Sequence, residues 1–268
     1  MRGWWQDLTD LVLPAECGGC GRPRAVLCPE CRAALTGAVP CRVRPEPEPS
    51  GLPVVHAVAP YEDAVRAALI AHKERGALAL AGPLGTALAG AVRAGGGAGP
   101  VLLVPVPSAR RAVRARGHDP ARRIALAAAG VLRRTGTPAR VAGVLRQRRA
   151  VADQSGLDSR QRLDNLAGAL EVAAGGARLL DGGAVVLVDD LMTTGASLAE
   201  AARAVRAARD PRVAVAVAVS GEHGAGANRK EAARTRGVTG RARPEDAEDG
   251  LRAAVVAAPP DSFQINRN

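Results

Sequence analysis

The sequence predicts an α/β protein: a parallel sheet covered on both faces by helices, with a small cysteine-bearing segment in front of it. Three observations carry that expectation. Uninterrupted apolar runs, VLLVPV at 101–106 and VVLV at 185–188, are separated by stretches of helical periodicity, and strands without polar alternation are strands buried on both sides. Hydrophobic residues make up 47% of the 268 residues, yet only Trp4, Trp5, Tyr61 and Phe263 are aromatic, while 57 are Ala. Such a core must be built from small, closely approaching elements. Finally, all five cysteines fall between residues 17 and 41, apart from the alternating pattern.

Taken in order, residues 1–16 place Trp4, Trp5, Leu8, Leu11 and Val12 at helical spacing, which predicts a short amphipathic docking helix ending near Pro14. The cysteine segment completes a first unit, residues 1–43. Arg44–Pro53 reads RPEPEPSGLP, a proline-rich linker at 44–53. The main domain is expected over 54–268. It begins with a strand at Val54–Ala59 and helices at Glu62–His72 and Leu78–Val92, the second interrupted near Gly82–Pro83. Next come the strand Val101–Val106, the helix Pro120–Arg134, a strand Val141–Leu145 and a short helix Asp158–Leu166. The strand Val185–Val188, the helix Ser197–Ala208 and a strand Val213–Val219 follow. Residues 221–250 are charged and poor in apolar groups, and read as a mobile surface insertion. Ala253–Ala258 is expected to supply an edge strand.

Cys17-x2-Cys20 and Cys28-x2-Cys31 form two knuckles seven residues apart. Each pair sets two thiolates on one tight turn, and two turns complete a tetrahedral S4 site suited to structural zinc. Four cysteines leave no open coordination position, so a catalytic metal is not expected there. Cys41 is left over. The longest uncharged stretch, Gly76–Val92, has 17 residues and includes Pro83, too short to span a membrane. Asp7 and Asp10 interrupt what would be the apolar part of a secretory signal. The expected location is the cytoplasm.

Net charge is +11, with 35 Arg and two Lys, Lys73 and Lys230. A GC-biased genome accounts for much Arg, Ala, Gly and Pro, but not for where the charge sits. Residues 101–165 hold 14 Arg and four acids, a net +10. Such a field attracts phosphate-bearing ligands or polyanions.

The most informative stretch is 184–197, AVVLVDDLMTTGAS. A buried strand delivers Asp189 and Asp190 to its carboxyl end, where open α/β sheets bind ligands. Thr193, Thr194, Gly195, Ala196 and Ser197 then open directly into a helix, and helix N-terminal N–H groups make a phosphate cradle. Carboxylates beside phosphate repel it unless they face sugar hydroxyls or a metal. The ligand that fits is a phosphorylated ribose, with its 5-phosphate in the loop and its ring hydroxyls on the Asp pair.

VVLVDDLMTTGAS resembles the thirteen-residue phosphoribosyl-pyrophosphate (PRPP) motif of type I phosphoribosyltransferases. Behind a four-cysteine knuckle, it resembles the ComF family of competence-associated, phosphoribosyltransferase-like proteins with an N-terminal zinc ribbon. Tyr61-Glu62, IAHKERG at 70–76, PVPSARRAVRARGHD at 105–119 and QSGLDSRQRLDN at 154–165 agree with it. The resemblance implies a type I phosphoribosyltransferase fold that binds PRPP with Mg2+. It assigns ribose hydroxyls to Asp189 and Asp190, the residues bearing catalysis, and the 5-phosphate to Thr193–Ser197. It places a pyrophosphate loop at Ser108, Ala109 and Arg110, with Lys73 and Arg111 in reach of the pyrophosphate. If the chain is catalytic, it is a pentosyl transferase with pyrophosphate as leaving group. The resemblance also implies service in DNA uptake, with single-stranded DNA and a helicase-like protein as partners. Two alternatives stand beside the transferase: a non-catalytic adaptor using the basic face, and a nucleobase-salvage enzyme. Two departures from the family pattern are the lone Cys41, where many relatives carry a second cysteine pair, and the 221–250 insertion.

Arg110, Arg111, Arg114 and Arg116, with Arg146, Arg148 and Arg149, have no aromatic neighbour to stack a base. Any nucleic-acid contact there is expected to be phosphate-based and sequence-independent. His72 and His118 are the remaining acid–base residues near the site, and their expected role is structural.

Overall fold

The computed structural model describes residues 16–97, 99–149, 161, 165–210 and 250–266. Its strands are β1 (Cys41–Val43), β2 (Val54–Pro60), β3 (Val101–Pro105), β4 (Ala139–Val141), β5 (Leu145–Gln147), β6 (Leu170–Val172), β7 (Ala184–Leu191) and β8 (Arg252–Ala258). Six of these form one sheet in the order β1-β2-β8-β7-β3-β4. All neighbours in it pair parallel except β1, which runs antiparallel to β2. β5 and β6 pair antiparallel as a separate ribbon.

The apolar runs form the sheet centre because both of their faces are covered. Leu103, Val186, Val188, Ala254 and Val256 enter one buried cluster, and Leu102, Val104, Val185, Leu187, Ala253 and Val255 enter the other. Period-two alternation thus divides a continuous apolar strand between two cores. The first core is closed by α2 (Asp63–Glu74), α3 (Ala81–Ala94) and α5 (Pro120–Arg134); the second by α6 (Ala196–Arg209). The remaining helices are α1 (Pro29–Thr36) and α4 (Arg110–Arg116).

Small residues let these layers approach. A Cβ on Gly85 of α3 would lie 2.5 Å from the Ala127 Cβ and 2.8 Å from the Ala128 backbone nitrogen in α5. The cysteine segment joins the same packing: Cys17, Leu27, Cys28, Cys31 and Leu35 lie in the first core beside Leu80 and Leu84.

Three sequence expectations change. Ala253–Ala258 is not an edge but a central strand, bonded on both sides by β2 and β7; its all-apolar composition suits that place. Val141–Leu145 is not one strand. β4 ends at Val141, residues 142–144 belong to neither strand, and Leu145 pairs with Val172 in the separate ribbon. The second helix starts at Ala81 after a 3-10 turn at Leu78–Leu80, so Pro83 falls in its first turn, where no N–H is needed. β1 was not anticipated. The expected helix at 1–16 apart from Glu16, the strand Val213–Val219 and the 221–250 insertion apart from Gly250 lie outside the described residues, as does Asp158–Leu166 apart from Gln161, Asn165 and Leu166. No helix among the described residues is long and apolar enough to cross a membrane.

Candidate functional site

The two cysteine knuckles meet. The sulfurs of Cys17, Cys20, Cys28 and Cys31 all lie within 4.8 Å of one another, and Cys20 Sγ is 3.6 Å from Cys28 Sγ. Four sulfurs about 2.3 Å from a central ion are spaced comparably, so the set fits zinc. The Cys28 N–H donates to Cys17 Sγ at 3.3 Å. Burial opposes ionisation of Cys17, but N–H groups of Cys20, Cys28 and Gly19 outweigh it and lower the thiol to about 6. Cys31 is pushed up by burial and by the neighbouring sulfurs, a repulsion that a bound dication would offset. Arg22 forks onto both Glu30 oxygens at 2.9 and 2.7 Å, tying one knuckle to the other.

At the carboxyl end of β7, alternation sends the acid pair to opposite faces. Asp190 follows Val186 and Val188 toward the first core and is 4% exposed. Asp189 is half-buried, and its Oδ1 accepts the Asp190 N–H at 2.8 Å. Lys73, near the end of α2, reaches Asp190 with Nζ 3.2 Å from Oδ2 and 3.5 Å from Oδ1. Desolvation, then repulsion from Asp190, raises the Asp189 carboxyl well above the usual range, opposed by Lys73. Burial disfavours the Lys73 ammonium, but the two carboxylates outweigh it and hold its pKa above the ordinary value.

The chain then turns through Thr193 (exposed), Thr194 (half-buried) and Gly195 into α6. Gly195 has φ +77°, a conformation glycine adopts without a Cβ penalty, and a Cβ there would meet Leu52 at 3.1 Å. The N-cap residue Gly195 has no side chain to cap α6, and the Ala196 N–H donates to Thr194 Oγ1 at a long 3.5 Å. The next N–H groups of its first turn are open to a ligand. Ala196 packs against Leu166 and Ala169, while Ser197 is half-buried.

After β3, Ser108, Ala109 and Arg110 lead into α4. The Ser108 N–H donates to Asp119 Oδ2 at 3.3 Å, and the Arg110 N–H to Gln147 Oε1 at 3.4 Å. Two of the three loop amides are thus engaged by side chains of the protein. Asp119 also caps α5, accepting the Arg122 N–H on Oδ1 at 3.0 Å. Arg111 is exposed.

Residues 127–242 match the family model of the phosphoribosyl transferase domain. No curated protein matches the chain. The matched span is shorter than half the chain and contains β4 to β7, the Asp189–Asp190 pair, the Thr193–Ser197 turn and α6. The structure brings Lys73 to the acid pair from outside the matched span. The Ser108–Arg110 loop and the cysteine cluster also precede that span.

Glu200 and Arg203 escaped sequence reasoning. Glu200, 6% exposed, accepts the Leu170 N–H at 2.9 Å and Arg203 Nε at 2.7 Å, while Arg203 donates to the Leu170 carbonyl at 2.8 Å. This clamp fixes α6 to β6. Burial raises the Glu200 pKa, but Arg203 and the Leu170 N–H outweigh it and hold it low. Nothing in the spacing of Glu200 and Arg203 distinguishes them from an ordinary i,i+3 surface pair. His118 and His72 are both buried, with ring centroids 5.5 Å apart. His118 Nε2 lies 3.1 Å from the His72 carbonyl, joining the turn before α5 to α2. Their expected structural role fits these contacts.

Proposed function

We propose that the chain binds PRPP with Mg2+ at the carboxyl end of β7, as a protein of ComF type. The observation carrying this reading is the uncapped N-terminus of α6, opened by Gly195 directly after the Asp189–Asp190 pair, inside the span that matches the phosphoribosyl transferase domain. The open N–H groups and the hydroxyls of Thr193, Thr194 and Ser197 hold the 5-phosphate. Asp189 takes the ribose hydroxyls directly. Asp190, already paired with Lys73, sets the position of that ammonium toward the pyrophosphate and exchanges it for a hydroxyl when the ligand enters. Ser108, Ala109, Arg110 and Arg111 receive the pyrophosphate, for which the Gln147 side chain must release the Arg110 N–H.

The donor set suits Mg2+, which keeps waters and ligand phosphates and takes only one or two carboxylates; Asp189 is the carboxylate not paired with Lys73. Bound there, the ion would neutralise pyrophosphate charge. In the transferase reading, an acceptor nucleophile bonds to ribose C1 as the C1–O bond to pyrophosphate breaks. The chain's part is positioning and charge stabilisation, with no side-chain nucleophile. We further read residues 1–43 as a zinc ribbon, 44–53 as a linker and 54–268 as the transferase-like domain, acting in the cytoplasm. Screening nucleobases for PRPP-dependent pyrophosphate release tests the activity. Release with a base supports a salvage transferase; PRPP binding without release for any acceptor supports the adaptor.

The adaptor reading has its own observation. Arg111, Arg114, Arg122, Arg123, Arg134, Arg140 and Arg148 are exposed on α4, α5, β4 and the strand end beyond β5. A phosphate backbone would find charge there without stacking partners. Single-stranded DNA, handed on by a helicase-like motor in competence, is the partner this face fits. A fluorescence titration with single-stranded DNA should lose affinity steeply between low and physiological salt; salt-independent binding would contradict it.

A further inference from the structure

A cleft of about 310 Å3 opens between α4 and β5, and it belongs neither to the acid pair nor to the α6 turn. Lys73, Asp189, Asp190 and Thr193–Ser197 do not line it. Arg110, Val113 and Arg114 sit at i, i+3 and i+4 on α4 and line one wall; Leu145, Arg146 and Gln147 of β5 line the other. Pro107, Ser108 and Asp119 complete it. Three arginines therefore line a space that also has an apolar strip of Pro107, Val113 and Leu145.

The acidic member is already occupied. Both Asp119 oxygens accept backbone N–H groups, from Arg122 and Ser108. Arg146 donates Nε to Glu171 at 2.9 Å, and Arg110 donates to the Gln147 carbonyl at a long 3.5 Å. Both keep further N–H donors, because a guanidinium carries five. The volume falls at the lower end of the range of about 300–1,000 Å3 seen for small-molecule sites, larger than one inorganic anion needs. Arginine forks onto phosphate and stacks its plane on flat rings, so the lining suits a phosphate joined to a flat, partly apolar body.

We propose that this cleft is a second ligand site, for a phosphomonoester of the nucleoside monophosphate class. It goes beyond the PRPP reading and does not depend on it. The phosphate is held by Arg114 and Arg146, and the ring lies along Val113 and Leu145 under the Arg110 guanidinium. Ser108 and Arg110 are shared with the proposed pyrophosphate loop, so Arg114 is the residue that separates the two sites.

Calorimetric titration of the full chain with AMP, GMP, CMP and UMP, each also as the free nucleoside, tests the proposal. At least one monophosphate should bind, and its nucleoside should bind about tenfold more weakly or less, the loss expected for one charge-assisted phosphate contact. Arg114→Ala, an exposed change, should weaken the monophosphate about tenfold or more by the same arithmetic. Asp189→Asn should leave it unchanged. The proposal is overturned if none of the four binds, if Arg114→Ala has no effect, or if inorganic pyrophosphate binds as well as the best monophosphate with the same Arg114 dependence. A chain that binds a monophosphate but not PRPP would overturn the Asp189 reading and leave this one standing.

Discussion

At the end of β7, Asp190 is 4% exposed and pairs with the Lys73 ammonium 3.2 Å away. Removing one partner of a buried pair strands the other charge. Lys73→Met should therefore cost about 2 kcal/mol in a urea unfolding midpoint, less than the 3–5 typical of fully buried pairs because Lys73 is about one-third exposed to screening solvent. Lys73 stood out in the sequence as one of two lysines. Its partner did not, since 117 positions separate them and spacing carries no trace of a tertiary ion pair. His72 supplies a pH signature. Burial lowers its pKa, with His118 adding to that and the Ala77 carbonyl and Asp190 opposing; Lys73 and Asp119 are the other charged groups nearby in sequence to this pair of histidines. The unfolded chain then binds the extra proton, so stability is full above the unfolded value of about 6.5 and declines as pH falls toward the depressed folded value. Thermal melts from pH 8 to pH 5 should show this decline, and His72→Asn should flatten it; an equal decline in the variant would assign it to other groups.

The strands and helices were legible because a two-faced sheet demands continuous apolar runs and amphipathic cover. Their neighbours were less so. β8 was read as an edge because no pattern within Ala253–Ala258 says which strands flank it, and only the register with β2 and β7 does. The break between β4 and β5 hides in VAGVL, where residues 142–144 separate two short strands that pair in different sheets. Gly85 shows what the Ala-rich composition accomplishes: α3 and α5 pack with no room for one more methyl. Gly85→Val should cost about 1–3 kcal/mol by overpacking, read as a lower urea midpoint with an unchanged slope. At the head of α6, Gly195→Ala forces a side chain into a left-handed residue, at about 1–2 kcal/mol. It should weaken PRPP binding while leaving the far-ultraviolet circular dichroism spectrum intact; unchanged affinity would separate the turn from the phosphate.

Across the whole molecule, the cysteine segment and the sheet share one core, since Cys17, Cys28 and Cys31 pack with Leu80 and Leu84. Metal loss should therefore weaken more than the knuckles. The chain should carry one zinc by elemental analysis, and Cys28→Ser should lose it and lower the thermal midpoint by more than about 5 °C; a zinc-free chain with an unchanged midpoint would contradict this. The knuckles were visible as spacing, but their place in the main core was not, because it depends on Gly18 and Gly19 lying against Leu80 and Ala64. The concentrated positive charge at 101–165 also gains a shape: it borders both the Ser108–Arg110 loop and the α4–β5 cleft. The account rests most heavily on PRPP at the end of β7. Calorimetry with PRPP and Mg2+ tests it most directly. The wild type should bind one PRPP per chain, and Asp189→Asn should bind none measurably while folding normally. No heat from the wild type, or equal affinity in the variant, would contradict it.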